Sequence, residues 1–296
     1  IRDSSNTVTS SGTNGIYIWG ADVRLTSQAA LTPTYQPITS SWAATIAGNH
    51  ATQSTSTKRP TLSAKYNLLT YTEDFSNAVW SAQQTSIVTN QTTAPDGTLT
   101  ADFVKEDTNN NRHIVSCAFN PASAANYTFS VCAKADTRTY ISVILYNAAS
   151  QFYAAVFDLT SGAVASTNTG NSPTGTSNSI SALGSGWYRC TVKLDCGTGT
   201  AYAFFGLSNT GTPSSFSNGA PVYAGDGASG LYAWGADLRV SNDGVGLPAY
   251  QRVVDANTYD SAGFPYYLKS DGVDDAMVTT GNVDFTGTDA VSTWNG

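Results

Sequence analysis

The chain has 296 residues, of which 41% are hydrophobic and only 12% are charged. Its 14 Lys and Arg against 21 Asp and Glu give a formal net charge of −7. The basic residues form no cluster, which excludes a nucleic-acid backbone as partner and disfavours an anionic membrane surface. No apolar run approaches the roughly 20 residues that span a bilayer, so membrane insertion is not expected.

An internal repeat opens the chain. Residues 15–25 read GIYIWGADVRL and residues 230–240 read GLYAWGADLRV, with seven of eleven positions identical at a constant offset of 215 (230 minus 15). Alternation of Tyr, Trp and branched residues is typical of a strand. We therefore interpret residues 1–40 as the last strand of an upstream copy, and we expect the equivalent Trp19 and Trp234 to be packing residues.

The Ser/Thr/Ala-rich stretch 41–66 predicts a linker. The segment 67–255 predicts one complete domain, because short apolar-alternating strands recur in it between Gly-rich and Asp-rich turns. The predicted strands lie at 98–104, 112–119, 127–134, 139–147, 152–159, 187–194 and 201–207. No segment has a helical apolar stripe, although SNAVWSAQQ at 76–84 allows one helical turn. Residues 256–296 predict the beginning of a second β domain.

Five sequence blocks carry a resemblance to a known family. They are NLLTYTEDFSNAVW at 67–80, APDGTLTAD at 94–102, FDLTSGAV at 157–164, GWYRCTV at 186–192 and GDGASGLYAWGADLRV at 225–240. In this order they resemble the carbohydrate-binding-module-like jelly roll of bacteriophage tail fibres and other virion proteins. The tail YLKSDGVDD at 267–275 is similar to the start of a laminin-G or concanavalin-like domain. The resemblance implies a jelly roll, a location in a virion or outside the cell, and recognition of a host or environmental glycan. Together with the strand pattern and the segment 1–66, it leads us to expect an all-β, antiparallel jelly-roll β-sandwich with an extended N-terminal arm.

Residues that would carry catalysis are sparse. The two histidines, His50 and His113, lie in unrelated contexts, and no zinc-protease, phosphate-loop or nucleophile-elbow motif is present. Neighbouring acids such as Glu106 and Asp107 are expected to be solvated turn residues rather than a glycosidase pair. We expect no enzymatic activity.

A carbohydrate site needs flat aromatic rings for sugar C–H groups, with polar side chains beside them for the hydroxyls. Alternation along 187–194 puts Trp187 and Arg189 on the side away from the apolar Cys190, Val192 and Leu194. The same rule puts Tyr140 and Tyr146 opposite Ile141, Val143 and Leu145. The predicted carbohydrate-binding residues are Trp187, Arg189, Tyr140, Tyr146, Tyr153 and Tyr202. The alternative is that these rings only stabilise the sheets.

Many jelly rolls of the family it resembles hold a structural Ca²⁺ where their first and last strands meet, bound by hard oxygen ligands. Glu73, Asp74 and Asp237 are the candidates for such a site, the alternative being solvated carboxylates. The four cysteines show no metal-binding spacing, and we expect them to behave as small buried hydrophobes.

Three functions fit this pattern. The first is a non-catalytic carbohydrate-binding domain of a virion tail fibre or spike. The second is a structural or homo-oligomerisation module with the same fold, because an unpaired repeat strand invites pairing with another chain. The third is an accessory part of a glycan depolymerase whose catalytic domain lies elsewhere.

Overall fold

The computed structural model describes residues 51–52, 55–121, 124–241, 247–269 and 278–279. The chain divides into two compact units. One is Ala64–Tyr266, and the other combines Ile1–Ser63 with Tyr267–Gly296. The predicted arm at 1–40, with its copy of the repeat, lies outside the described residues.

The second of these units contains two short antiparallel pairs. Strand β1 (Ala51–Thr52) pairs with β19 (Val278–Thr279), and β2 (Thr61–Ser63) pairs with β18 (Tyr267–Lys269). The end of the predicted linker and part of the predicted lectin-like segment are therefore hydrogen-bonded to each other. Most of YLKSDGVDD lies outside the described residues.

The unit Ala64–Tyr266 is built on two six-stranded antiparallel sheets. In spatial order, the first sheet consists of β11 (Ala163–Gly170), β10 (Phe152–Asp158), β9 (Tyr140–Tyr146), β14 (Ala201–Ser208), β7 (Ile114–Phe119) and β3 (Ser81–Gln83). The second sheet consists of β12 (Ser177–Gly184), β13 (Trp187–Asp195), β8 (Asn126–Ala135), β17 (Gly230–Val240), β5 (Ala101–Glu106) and β4 (Thr85–Thr92). A small third sheet contains β15 (Phe216–Ser217), β16 (Ala220–Ala224) and β6 (Asn110–Arg112).

The main core lies between the two large sheets, as strand alternation requires. Ile141, Val143 and Leu145 of β9 and Cys190, Val192 and Leu194 of β13 all belong to it. The predicted all-β fold and antiparallel β-sandwich are confirmed, and all seven predicted strands are present. The finer jelly-roll topology stays a prediction.

The four edge strands of the large sheets, β3, β4, β11 and β12, were not predicted. Sequences such as AVASTNTG in β11 and SNSISALG in β12 are rich in Ser, Thr and Asn, and half or more of their residues are exposed. An edge strand has a neighbour on one side only and a weak apolar pattern. The described residues contain no α-helix, and the helical turn predicted at 76–84 is a series of turns followed by β3.

A β-bulge interrupts β17 within the repeated WGAD motif. The pairing with β8 shifts between Trp234 and Asp237, and Gly235 has a φ of +63°. Glycine adopts this conformation without steric cost, which explains its place in the motif. The bulge leaves Ala236 in the main core. Trp234 belongs to a separate packing cluster and is 4% exposed, so its predicted packing role is confirmed.

Candidate functional site

Three aromatic residues form a row across the outer side of the first sheet. Tyr146 of β9 pairs with Tyr202 of β14 on one side and with Phe152 of β10 on the other. Phe204 follows Tyr202 by two residues and therefore lies on the same side of the sheet. We call Tyr146, Phe152, Tyr202 and Phe204 the aromatic face.

The rings of the aromatic face contact one another. The Tyr146 ring stacks on Phe152 and on Phe204 with centroid separations of 6.4 and 6.2 Å, and it meets Tyr202 edge-on at 6.4 Å. Tyr202 is 38% exposed and Phe204 only 5%, while Tyr146 and Phe152 are half-buried. Phe204 is thus the support of the cluster, and Tyr202 is the ring most open to a ligand.

Arg112 lies beside the aromatic face. Its Cζ is 5.9 Å from the Phe204 ring centroid, and its Nη2 donates a hydrogen bond of 2.9 Å to Oε1 of Gln83. Its Nη1 is buried and has no hydrogen-bond partner among the described residues. Burial lowers the pKa of Arg112. A guanidinium with an unused N–H next to stacked rings is suited to an oxygen-rich ligand.

Two other predicted tyrosines lie elsewhere. Tyr140 is half-buried at the opposite end of β9, on the same outer side of the first sheet. Tyr153 is opposite Leu145, points into the main core and is 8% exposed. Its hydroxyl accepts a hydrogen bond from Asn178 Nδ2. The expectation that Tyr153 is an open ring is wrong, because Tyr153 points into the main core while Tyr202 points to the outer side of the first sheet.

Trp187 and Arg189 lie on the outer side of the second sheet, as alternation predicted, but they are not open to solvent. Trp187 is 2% exposed, packs with Cys132 and Trp234, and donates its indole N–H to the Thr93 carbonyl at 3.0 Å. The expectation of an exposed Trp187 is wrong, because the chain around Thr93 covers this part of the sheet. Arg189 is 9% exposed and lies 5.7 Å from the Tyr250 ring centroid.

The three predicted calcium ligands each have other partners. The Tyr250 hydroxyl donates to Glu73 at 3.0 Å, and Asp74 accepts hydrogen bonds from the backbone and side chain of Ser76. Asp237 is buried in a two-point ion pair with Arg239, at 2.6 and 2.5 Å. Within the described parts of the chain, no group of three or more His, Cys, Asp or Glu residues is placed to bind a metal ion. The calcium site expected at these three carboxylates stays a prediction.

Two further carboxylates, Glu106 and Asp102, are buried, although Glu106 was expected to be solvated. Glu106 is 1% exposed and accepts hydrogen bonds from Arg138 and from the Tyr223 hydroxyl. Asp102 is also 1% exposed, and burial raises its pKa to about 6. The expectation that Glu106 is solvated is wrong, because Arg138 and the loop before β17 enclose it. Both residues are committed to protein partners.

The four cysteines lie in the interior as free thiols. Burial raises the pKa of Cys117 and Cys132 to about 11 and that of Cys196 to about 12. Since the thiolate is the reactive form, they are inert at neutral pH. The prediction that they act as small hydrophobes is confirmed.

The sequence analysis missed four residues that lie in or beside the aromatic face. Phe152, Phe204, Arg112 and Gln83 were not candidates, although the period-two pattern of AYAFFGL at 201–207 places Phe204 beside Tyr202. Arg112 and Gln83 carry no such signal, because they come from separate strands that only the fold brings together.

Comparison with known proteins gives little further identification. No protein-family model matches the chain, and no curated protein matches it. Among solved structures, the chain is similar to the enzymatically active domain of tailspike protein 4 from bacteriophage CBA120, with 14% identity and a TM-score of 0.34. The match covers 60% of this chain and 22% of that chain, so this chain spans less than a quarter of its neighbour's length. Among the described residues, no helix has the length and apolarity needed to cross a membrane.

Proposed function

We propose that the chain is a non-catalytic carbohydrate-binding β-sandwich of a virion fibre or spike, and that sugar binds to the aromatic face. The observation that carries the proposal is the row of three rings in register across β14, β9 and β10, with Tyr202 open to solvent. The virion location rests on the five sequence blocks, from NLLTYTEDFSNAVW to GDGASGLYAWGADLRV.

The chemistry of the aromatic face suits a saccharide. A sugar ring presents C–H groups that pack against an aromatic ring, and Tyr202 offers the most accessible one. Sugar hydroxyls also need donors and acceptors. Arg112 supplies an unused N–H, while Gln83 and the tyrosine hydroxyls supply both kinds of group.

The test is a glycan array on the purified chain, followed by calorimetric titration of the best binder. Tyr202→Ala removes the exposed ring and should weaken binding by about tenfold or more, whereas Tyr202→Phe keeps the ring and should retain most of the affinity. Tyr266→Ala is the matched control, because Tyr266 is 58% exposed and lies outside the aromatic face. Unchanged affinity in Tyr202→Ala would overturn the assignment of the site.

The same variants distinguish a sugar site from a subunit interface. If the aromatic face joins copies of the chain, light scattering will show an oligomer that Tyr202→Ala dissociates, and no glycan will bind. We expect Tyr202→Ala to change the glycan affinity and leave the molar mass unchanged.

A further inference from the structure

A cavity of about 310 Å³ lies on the outer side of the second sheet. Its floor is formed by Ser130 of β8, Arg189 and Thr191 of β13, and Asp237 and Arg239 of β17. This volume is at the small end of the range of about 300–1,000 Å³ that is typical of ligand sites. The cavity is distinct from the aromatic face, which belongs to the first sheet.

The charges in the cavity do not cancel. Arg239 forms a two-point ion pair with Asp237, whose Oδ2 also accepts a hydrogen bond from the Gln251 backbone N–H. That pair is neutral as a whole. Arg189 has no carboxylate within ion-pair distance among the described residues, so the cavity has one excess positive charge.

Arg189 is held in place with donors to spare. Its Nη1 donates to Ser130 Oγ at 3.0 Å, and its guanidinium lies over the Tyr250 ring. Its Nε is buried and has no hydrogen-bond partner among the described residues. A buried N–H of a charged group is costly to leave unpaired, so this atom favours a ligand that accepts from it.

The other walls define the rest of the ligand. The hydroxyls of Thr128, Thr191 and Ser241 line the cavity, and Leu247 and Pro248 form an apolar side. The hydroxyl groups of the lining can hydrogen-bond to hydroxyl groups of a ligand, and the apolar side can pack against the C–H groups of that ligand. A small ring with several hydroxyls and one carboxylate matches all three parts of the lining.

We propose that this cavity binds the uronic acid residue of an acidic glycan, with its carboxylate on Arg189. The proposal rests on the proposed function only in taking the ligand to be a sugar. A carboxylate accepts the Nε hydrogen and neutralises the excess charge, which a neutral sugar cannot do.

The test compares two probes that differ only in the carboxylate, methyl α-D-glucuronide and methyl α-D-glucoside. Calorimetric titration should show the glucuronide binding at least about tenfold more tightly. Arg189→Gln should abolish this preference. Arg252→Gln is the control, because Arg252 is 48% exposed and pairs with Asp260 away from the cavity. Equal affinity for both probes would overturn the proposal, as would a preference that survives Arg189→Gln.

A measurement on the unmodified protein covers the case in which Arg189→Gln does not fold. The Nε–H signal of Arg189 should shift in the nuclear magnetic resonance spectrum as glucuronide saturates the site. A signal that does not shift would overturn the proposal. Tyr202→Ala should leave glucuronide binding unchanged. Loss of neutral-glycan binding in that variant therefore reports on the aromatic face alone, and the two proposals can fail separately.

Discussion

Trp187 and Tyr202 both lie on the outer side of a large sheet, yet Trp187 is 2% exposed and Tyr202 is 38% exposed. Trp187 and Arg189 lie on the side of β13 that the sequence pattern assigns to them, and Tyr146 does the same on β9. Only the tertiary structure shows that the chain around Thr93 covers Trp187 while Tyr202 stays 38% exposed. The cover comes from residues about 94 positions away along the chain, so no local pattern predicts it.

Asp102 is likewise enclosed by other parts of the chain, and its burial makes the stability of the protein depend on pH. Its two oxygens accept backbone hydrogen bonds from Phe75 and Asn90 at 2.9 and 3.0 Å, inside the sandwich. Burial raises its pKa from 3.8 to about 6. The folded state therefore binds more protons than the unfolded state between about pH 4 and 6, and stability falls as pH rises through that range.

We expect this residue to make the protein about 1 kcal/mol more stable at pH 5 than at pH 7. The Asp102→Asn side chain does not titrate, so this variant should lose the extra stability at pH 5. It should also be less stable than the wild type at both pH values, because its amide nitrogen cannot accept a backbone hydrogen bond. Urea unfolding of both proteins at pH 5 and 7 measures the difference. Asp136→Asn, at an exposed site, is the control. An Asp102→Asn protein with the wild-type pH dependence would contradict the assignment.

At the scale of secondary structure, central strands were predictable and edge strands were not. The strands β8, β9 and β14 are flanked on both sides and carry strong apolar alternation. The edges β11 and β12 carry Ser, Thr and Asn because their exposure to water relaxes the pattern. The aromatic face spans central strands only, which is why Tyr146 and Tyr202 were candidates from sequence.

The pairing of β14 with β7 depends on a glycine. Gly206 lies opposite Ile114, and a methyl group at position 206 would overlap the His113 carbonyl oxygen and the Ile114 side chain. We expect Gly206→Ala to destabilise the protein by about 1–3 kcal/mol, because a backbone atom cannot move aside as a side chain can. Chemical denaturation measures the loss.

The control for this prediction is Gly97→Ala. Gly97 has a φ of +89° and no atom within 4 Å of an added methyl group, so only the backbone strain of about 1 kcal/mol applies. Gly206→Ala should cost more than this control. A smaller loss in Gly206→Ala would show that β7 and β14 separate more easily than their pairing indicates.

At the scale of the whole molecule, the two proposed sites use different sheets of one sandwich. The aromatic face belongs to the first sheet and the Arg189 cavity to the second, and both lie within Ala64–Tyr266. No residue is shared between them. Because they lie on the outer sides of opposite sheets, we expect the two sites to bind their ligands independently.

A chain of residues 64–266 should therefore fold alone and retain both activities. Its core, its two large sheets and the buried Asn67, which bonds to the Ala236 and Gln251 carbonyls, all lie inside these bounds. We expect one cooperative thermal transition, with a midpoint within about 4 °C of that of the same unit in the full chain. A chain of residues 81–266 is the comparison, because it lacks Asn67 together with the core residues Leu69 and Phe75 and should unfold at a much lower temperature. Scanning calorimetry on the three proteins measures these midpoints. A non-cooperative transition in the 64–266 chain would show that the unit needs strands outside it for its stability. Equal midpoints for the two shorter chains would show that residues 64–80 do not contribute to that stability.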